Sequence, residues 1–387
     1  MYNIPLSEPS ISGNEWQYVK ECLDAGWVSS AGKYVELFEE KIVEYTGSKY
    51  AIACVNGTSA LQVSLRLAGV QPGDEVIVPT LTFIAPVNAV IYNGATPVFM
   101  DADEFYNIDA DKTIEFIKKE TVYKGGFTYN KRTNSRLRAI IPVHVFGNAV
   151  WLDELIPLCE ERNITIVEDA SESLGTVYKK GKYFGKHTGT IGRLGCLSFN
   201  GNKIITAGGG GMILTDDEKL AEMARYLTTQ AKDDPVRYIH HDIGYNFRLT
   251  NIQAALGVAQ LEQLPAFLER KRETFIQYKT VIKNRDGISI AGVPKYANNN
   301  HWLNILKVDE NKFSRDNDFL MFRLEKYGIQ SRPVWYLNHL QKPYENCQSY
   351  KIGYAIKLVD NSLCLPSSFS LGKNECEMII NKLGLIK

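Results

Sequence analysis

The sequence carries no surplus of either charge, with 44 lysines and arginines against 44 aspartates and glutamates. A neutral chain without a basic block argues against nucleic acid as the main partner. No C-x-x-C pair is present. The seven cysteines, Cys22, Cys54, Cys159, Cys196, Cys347, Cys364 and Cys376, lie scattered in apolar contexts. That excludes the pattern of a disulfide framework or zinc site and predicts reduced core residues of a cytoplasmic protein. No stretch approaches the ~20 apolar residues that a membrane span requires. The opening MYNIPLSEPS lacks the basic start and apolar core of a signal peptide, so none is expected. Internal repeats and low-complexity segments are also missing. What remains is an ordinary globular composition, 44% hydrophobic and 23% charged, over 387 residues. That length suits two domains sharing an interface.

Hydrophobic spacing predicts an amphipathic helix over 14–25, with Val19, Cys22 and Leu23 on one face and Gly26 after it. A loop from Trp27 to Gly32 leads to a second helix over roughly 35–45. The pattern then changes to short apolar runs alternating with helical ones. Strands are expected at 50–55, 75–79, 97–100, 137–143, 165–168, 196–199 and 212–214, with helices at 59–67, 84–92, 111–120 and 152–161. Continuous apolar strands in β-α-β alternation predict an α/β fold with a mostly parallel sheet covered on both faces. Helices over 217–229 and 250–264 follow. Pro265 opens a long helix over 266–283 that leads into a smaller α+β region. There a strand at 302–308, a helix at 314–327, a loop at 331–343, a strand at 363–365 and a last helix from Asn374 are expected. The chain thus divides into a large domain with an N-terminal arm, 1–250, and a small domain, 251–387. The polar stretch Gly125–Ser135 is expected to be an exposed excursion.

In such sheets ligands bind beyond the carboxyl ends of the strands, and four strand ends carry chemistry. After the first strand, Asn56-Gly57-Thr58-Ser59 opens a helix, whose amides and hydroxyls suit a phosphate. A plain N-cap at Thr58 or Ser59 is the competing reading. Phe83, after the second strand, could stack on a flat ring or pack in the core. Asp169 ends the 165–168 strand, where a buried carboxylate needs a partner, either a protonated ring nitrogen or an arginine. The fourth end is CLSFNGNKIITAGGGGMILT, residues 196–215. Lys203 stands there five residues after Ser198, on a turn between two buried strands and close to Gly208–Gly211. A lysine among apolar neighbours can lose its proton and act as an amine nucleophile, although a hairpin with a surface lysine reads equally well locally. A phosphate cradle, a stacking ring, a carboxylate and a lysine together describe a site for pyridoxal 5′-phosphate. Lys203 would be its Schiff-base lysine, Asp169 would keep the ring nitrogen protonated, and Ser198 would join Thr58 and Ser59 on the phosphate.

Six segments in order make the chain resemble the DegT/DnrJ/StrS family of sugar-nucleotide aminotransferases. They are NGTSAL (56–61), PTLTFIAPVNAV (79–90), EDASESLG (168–175), SFNGNK (198–203), GYNFRLTNIQAALG (244–257) and RPVWYLNHLQKPY (332–344). The resemblance covers nearly the whole chain and implies a fold type I pyridoxal-phosphate enzyme. It implies Lys203 as the lysine attached to the cofactor, Asp169 as the ring-nitrogen partner, Phe83 as the stacking residue, and Thr58, Ser59 and Ser198 as phosphate ligands. It also implies a homodimer with shared active sites, in which Asn246 of the partner subunit reaches the phosphate. One branch of the family carries histidine at the lysine position and dehydrates its substrate; Lys203 favours transamination. The segments at 11–30, 144–150 and 199–205 and the loop at 335–344 resemble most the enzymes acting on UDP-4-keto-6-deoxy-N-acetylhexosamines for bacillosamine and legionaminic acid. Enzymes that make GDP-perosamine share much of the pattern.

The expected reaction has two halves. Glutamate, by resemblance, gives its amino group to the cofactor and leaves as 2-oxoglutarate, generating the pyridoxamine phosphate form. That amine then passes to a keto group of a nucleotide-linked 6-deoxy sugar, with Lys203 moving the proton in both halves. Glu172 is placed by resemblance beside the sugar, with a surface salt bridge as its alternative. Tyr336 and His339 fall in a polar aromatic loop that the resemblance places near the sugar, with a structural histidine as the alternative, and Trp27, Ser29 and Ser30 are expected to line the entrance. Arg248 could hold a phosphate or carboxylate in bidentate fashion, or pair at a helix start. His144, His240 and His241 read as structural or exposed, and no metal site is expected. Residues 56–61 lack G-x-G-x-x-G, which argues against a nicotinamide oxidoreductase. Intact Lys203 and Asp169 argue against a catalytically silent binding protein. Uridine, guanosine and thymidine diphosphates, and 3-keto against 4-keto sugars, are not separated by these residues.

Overall fold

The computed structural model describes residues 3–234, 236–309, 312 and 317–383. Its centre is an eight-stranded sheet built from short runs of apolar residues, most of them buried along their length. Across the sheet the strands run Tyr50–Cys54, Gly211–Thr215, Leu194–Ser198, Thr165–Asp169, Leu137–Ile140, Glu75–Pro79, Thr96–Met100 and Ser349–Tyr350. All pairings are parallel except those of Gly211–Thr215, which is antiparallel to both neighbours. Strand residues buried on both faces, such as EVIVP at 75–79, require helices above and below. Gly57–Leu67, Ala85–Tyr92, Ala110–Lys119, Leu155–Glu161 and Glu218–Thr228 are among the helices that supply that cover. The expected fold class is the one found, and the expected strands lie within a few residues of those observed.

The reversed strand follows Leu194–Ser198 as the second arm of a long-looped hairpin spanning residues 199–210. Of the glycines at 208–211, Gly211 has a reason inside its own chain. A Cβ there would come within 2.5 Å of the Asn56 backbone and 2.7 Å of the Gly57 nitrogen. This close approach, not room for a cofactor or a partner, accounts for it.

A second sheet of four antiparallel strands has the order Ile288–Ile290, Asn304–Val308, Ser362–Leu365, Arg332–Pro333. Helices Leu264–Ile282, Asn317–Lys326 and Lys373–Lys382 close its core around Tyr278, Leu306, Leu324, Leu363 and Ile379. The helix expected from Ser314 is seen from Asn317, and 314–316 lie outside the described residues. Two pairings join distant parts of the chain: Ser349–Tyr350 adds to the large sheet beside Thr96–Met100, and Ile4 bridges Ile329.

One expectation holds only in part. Residues 125–135 are not simply exposed, because Phe127–Asn130 pairs with Thr121–Lys124 across a Gly125-Gly126 turn at positive φ. Thr128 and Asn130 are buried, and the Asn130 amide donates to Glu75 Oε2 and Gln348 Oε1, both at 2.7 Å. The polar residues there satisfy a buried carboxylate, which must find donors when removed from water.

Candidate active site

Register brings the predicted residues to one edge of the large sheet. Cys54 lies opposite Gly211, Gly211 opposite Ser198, and Asp169 opposite Cys196. Asn56, Ser198, Asp169 and the 199–210 loop therefore share the carboxyl end of the parallel strands.

At the first strand end the capping residue is Asn56, whose Oδ1 accepts from the Ser59 amide at 2.8 Å. The plain N-cap reading of Thr58 or Ser59 is thereby overturned, because their hydroxyls are not used for capping. A Cβ on Gly57 would sit 2.9 Å from Ser198 Cβ and 3.2 Å from Ser171 Oγ. The helix start and the Ser198 strand end are thus pressed together, placing hydroxyls and a positive helix terminus on one rim.

Lys203 follows a turn in which its amide bonds the Asn200 carbonyl at 3.0 Å. Its stem is mostly buried, its side chain 14% exposed, and Nζ lies 3.6 Å from Glu172 Oε1 and 4.2 Å from the Trp302 ring centroid. The surface-lysine alternative fails, because the next residues, 204–207, are buried and tied back to the Phe199 carbonyl. Glu172 is buried too, which removes its surface salt-bridge alternative. Its Oε2 accepts from the Phe146 amide at 2.8 Å. Burial raises its carboxyl to about 7, although Lys203 and that amide act to lower it. Phe146 reaches this carboxylate from a left-handed conformation, φ 55, ψ 23, which costs a non-glycine residue energy and is found where structure over-determines it.

Asp169 is buried at its strand end, and Oδ1 accepts from the Ser171 amide at 3.0 Å. Beside it, Glu168 and His144 form a buried pair at 2.9 Å. His144 Nδ1 accepts from the Val150 amide, so Nε2–H donates to Glu168. Burial works against the Glu168 carboxylate, but His144 and the Gly192 and Gly189 amides hold it below the ordinary range. His144 is structural, as expected; His240 and His241 are exposed.

Phe83 is half exposed and begins a run of rings: Trp335 at 6.5 Å, Phe146 stacked on Trp335 at 4.7 Å, and Trp302 at 6.4 Å from Phe146. His339 Nδ1 is 2.6 Å from Thr80 Oγ1, and burial lowers its basicity. Asn338 donates to the Thr80 and Thr82 carbonyls, so the 331–344 loop is stitched beside Phe83 while Tyr336 stays exposed. Trp27, Ser29 and Ser30 form a different group. Asn251 bonds the Trp27 and Ser29 carbonyls, and Arg248 Nε donates to the Ser30 carbonyl at 3.2 Å, so the ion-pair reading of Arg248 gives way to a backbone tether. Asn246 is exposed opposite Thr229. Sequence reasoning missed Phe146, Asn300 and Trp302 because each reaches the site through contacts distant in the chain.

The donor set fits pyridoxal phosphate: a hydroxyl-lined helix start for an anion, a buried carboxylate, an exposed ring face and a lysine amine held without a short hydrogen bond. Among the described residues no group of three or more His, Cys, Asp or Glu could hold a metal, and no helix is long and apolar enough to cross a membrane. Comparison with known proteins agrees. The profile of the DegT/DnrJ/EryC1/StrS aminotransferase family matches residues 9–384. EpsN of Bacillus subtilis, provisionally named a pyridoxal phosphate-dependent aminotransferase, is 37% identical over 98% of this chain and 95% of its own. GDP-perosamine synthase of Caulobacter vibrioides is 36% identical over 98% and 97%. The crystal structure of DesI with its TDP-sugar product superposes with a TM-score of 0.87 at 26% identity, covering 99% of this chain and 92% of that one. The chain therefore belongs to the DegT/DnrJ/EryC1/StrS aminotransferase family and is a pyridoxal phosphate-dependent sugar-nucleotide aminotransferase.

Proposed function

We propose that the enzyme moves an amino group from glutamate to the 4-keto carbon of a nucleotide-linked 6-deoxy sugar. The observation that carries this reading is the Lys203 amine, 3.6 Å from Glu172 Oε1 at the sheet edge that also holds Asp169. When bound, pyridoxal phosphate supplies an aldehyde for amines and a ring that takes up the electrons of a breaking carbon–hydrogen bond. Thr58, Ser59 and Ser198 would hold its phosphate, Phe83 its ring face and Asp169 its ring nitrogen. Lys203 Nζ takes the proton from the donor carbon and returns it to the product, which requires the amine to be neutral in part of the cycle. Glu172 Oε1, 3.6 Å away, is placed to steady that amine between the two transfers. Arg248, Tyr336, His339, Trp27, Ser29 and Ser30 are proposed as substrate contacts.

The relatives named GDP-perosamine synthase support a guanosine diphosphate sugar more than the UDP-linked 2-acetamido sugar expected from the sequence. The same reading includes a homodimer, with Asn246 of the partner subunit on the phosphate, and a cytoplasmic setting consistent with seven free thiols. Incubating enzyme and glutamate with GDP-, UDP- and dTDP-linked keto sugars, followed by mass analysis, tests it. The GDP-linked 4-keto sugar should gain the amine fastest. Amination of 3-keto sugars alone, or of none, would sink the proposal.

A further inference from the structure

Lys203 is held in a closed circuit of contacts. Its amine faces the Glu172 carboxylate at 3.6 Å, an ion pair too long for a hydrogen bond. The same amine lies over the face of Trp302, 4.2 Å from the centroid. Indole Nε1 donates to the carbonyl of Asn202, the residue before Lys203, at 2.7 Å. The Trp302 amide donates to Asn300 Oδ1 at 3.0 Å, and Asn300 Nδ2 donates to the Glu172 carbonyl at 2.8 Å. One asparagine side chain therefore ties together the backbones of the two residues that face the amine, Trp302 and Glu172. Buried Lys271 donates to the Trp302 backbone carbonyl at 3.1 Å and to the Ser367 carbonyl.

An unrestrained lysine beside a buried carboxylate would close to hydrogen-bond distance, because the pair is strongest where water is excluded. We propose that Trp302 is a positioning residue: its indole face holds the Lys203 amine off Glu172, so that the amine stays free to attach to the cofactor aldehyde. The inference rests on Lys203 being the attachment residue. It separates two ligands. Pyridoxal phosphate needs a free lysine amine to bind fully, whereas pyridoxamine phosphate has no aldehyde and does not.

The test measures the dissociation constants of both ligands for wild type, Trp302→Leu, Trp302→Phe and the double variant Trp302→Leu/Glu172→Gln. Closing the Lys203–Glu172 pair to a charge-assisted hydrogen bond would tie up the amine by roughly 10- to 100-fold in affinity. Trp302→Leu should weaken pyridoxal phosphate by about that factor and leave pyridoxamine phosphate within about twofold. Trp302→Phe keeps a ring face and should stay near wild type for both. Adding Glu172→Gln to Trp302→Leu should recover pyridoxal phosphate affinity, a rescue that a wall residue would not show. Equal weakening of both ligands, no weakening of either, a phenylalanine variant as weak as the leucine one, or no rescue each overturns the inference. Borohydride reduction of the loaded wild type with peptide mapping checks the parent reading separately. A label on another lysine removes that reading whatever the Trp302 variants do.

Discussion

Lys271 and Lys203 are both withdrawn from water, Lys271 almost fully and Lys203 for most of its length, and they are held differently. Lys271 is 6% exposed and gives its amine to two carbonyls, with no carboxylate among its hydrogen-bond partners. Burial pushes it down to about 7. Lys203 keeps only long contacts, a carboxylate at 3.6 Å and a ring at 4.2 Å. An amine tied by short bonds to backbone is part of the frame. One held by longer, charge-based contacts can leave its position and return, as proton transfer demands.

Three substitutions probe that contrast. Lys203→Ala should fold with unchanged stability, fail to develop the visible absorbance of the cofactor-loaded protein, and lose at least about 10³-fold in kcat. Retained activity would end the comparison at once. Glu172→Gln brings the surroundings of Lys203 closer to those of Lys271 by removing the charge, and should lower kcat by about tenfold. It also has a signature in stability. The Glu172 carboxyl is raised from 4.5 to about 7 in the folded protein, so the stabilisation from its bound proton is full below pH 4.5 and lost as pH rises to about 7. Relative to the glutamine variant, wild type should lose up to about 3 kcal/mol across that window, measured by urea unfolding at a series of pH values. Lys271→Met should have the smallest effect on turnover, less than about tenfold, while costing about 1–3 kcal/mol because two buried carbonyls lose their donor. Its sign with pH is opposite to that of Glu172. The unfolded chain binds the Lys271 proton between about 7 and 10.5 and the folded one does not, so wild-type stability relative to the methionine variant should rise with pH across that window. A flat difference would mean that the buried amine keeps its proton.

How much of this could be read from the sequence depended on distance along the chain. Glu75–Pro79 was legible to the residue because a strand buried on both faces is a continuous apolar run. Val177–Tyr178, Arg332–Pro333 and Ser349–Tyr350 are too short to show any period. The hairpin at 121–130 was hidden by its polar composition, which only the buried Glu75 explains. Lys203 and Asp169 stood out because strand ends in such sheets face the ligand. Trp302 did not, because its bond to Asn202 spans a hundred residues. Nothing local distinguishes it from a core tryptophan.

The reversed strand Gly211–Thr215 has a consequence for motion. Because it starts at the edge where Leu194–Ser198 ends, the loop bearing Lys203 is moored at both ends on the same rim. With residues 204–207 buried and bonded back to the Phe199 carbonyl, that loop is held against the sheet edge. The 331–344 segment is likewise tied down, through Asn338 to the Thr80 carbonyl and through Tyr344 to Asn88 of the Ala85–Tyr92 helix. The backbone that carries the reactive amine is thus fixed, and only the lysine side chain has to travel.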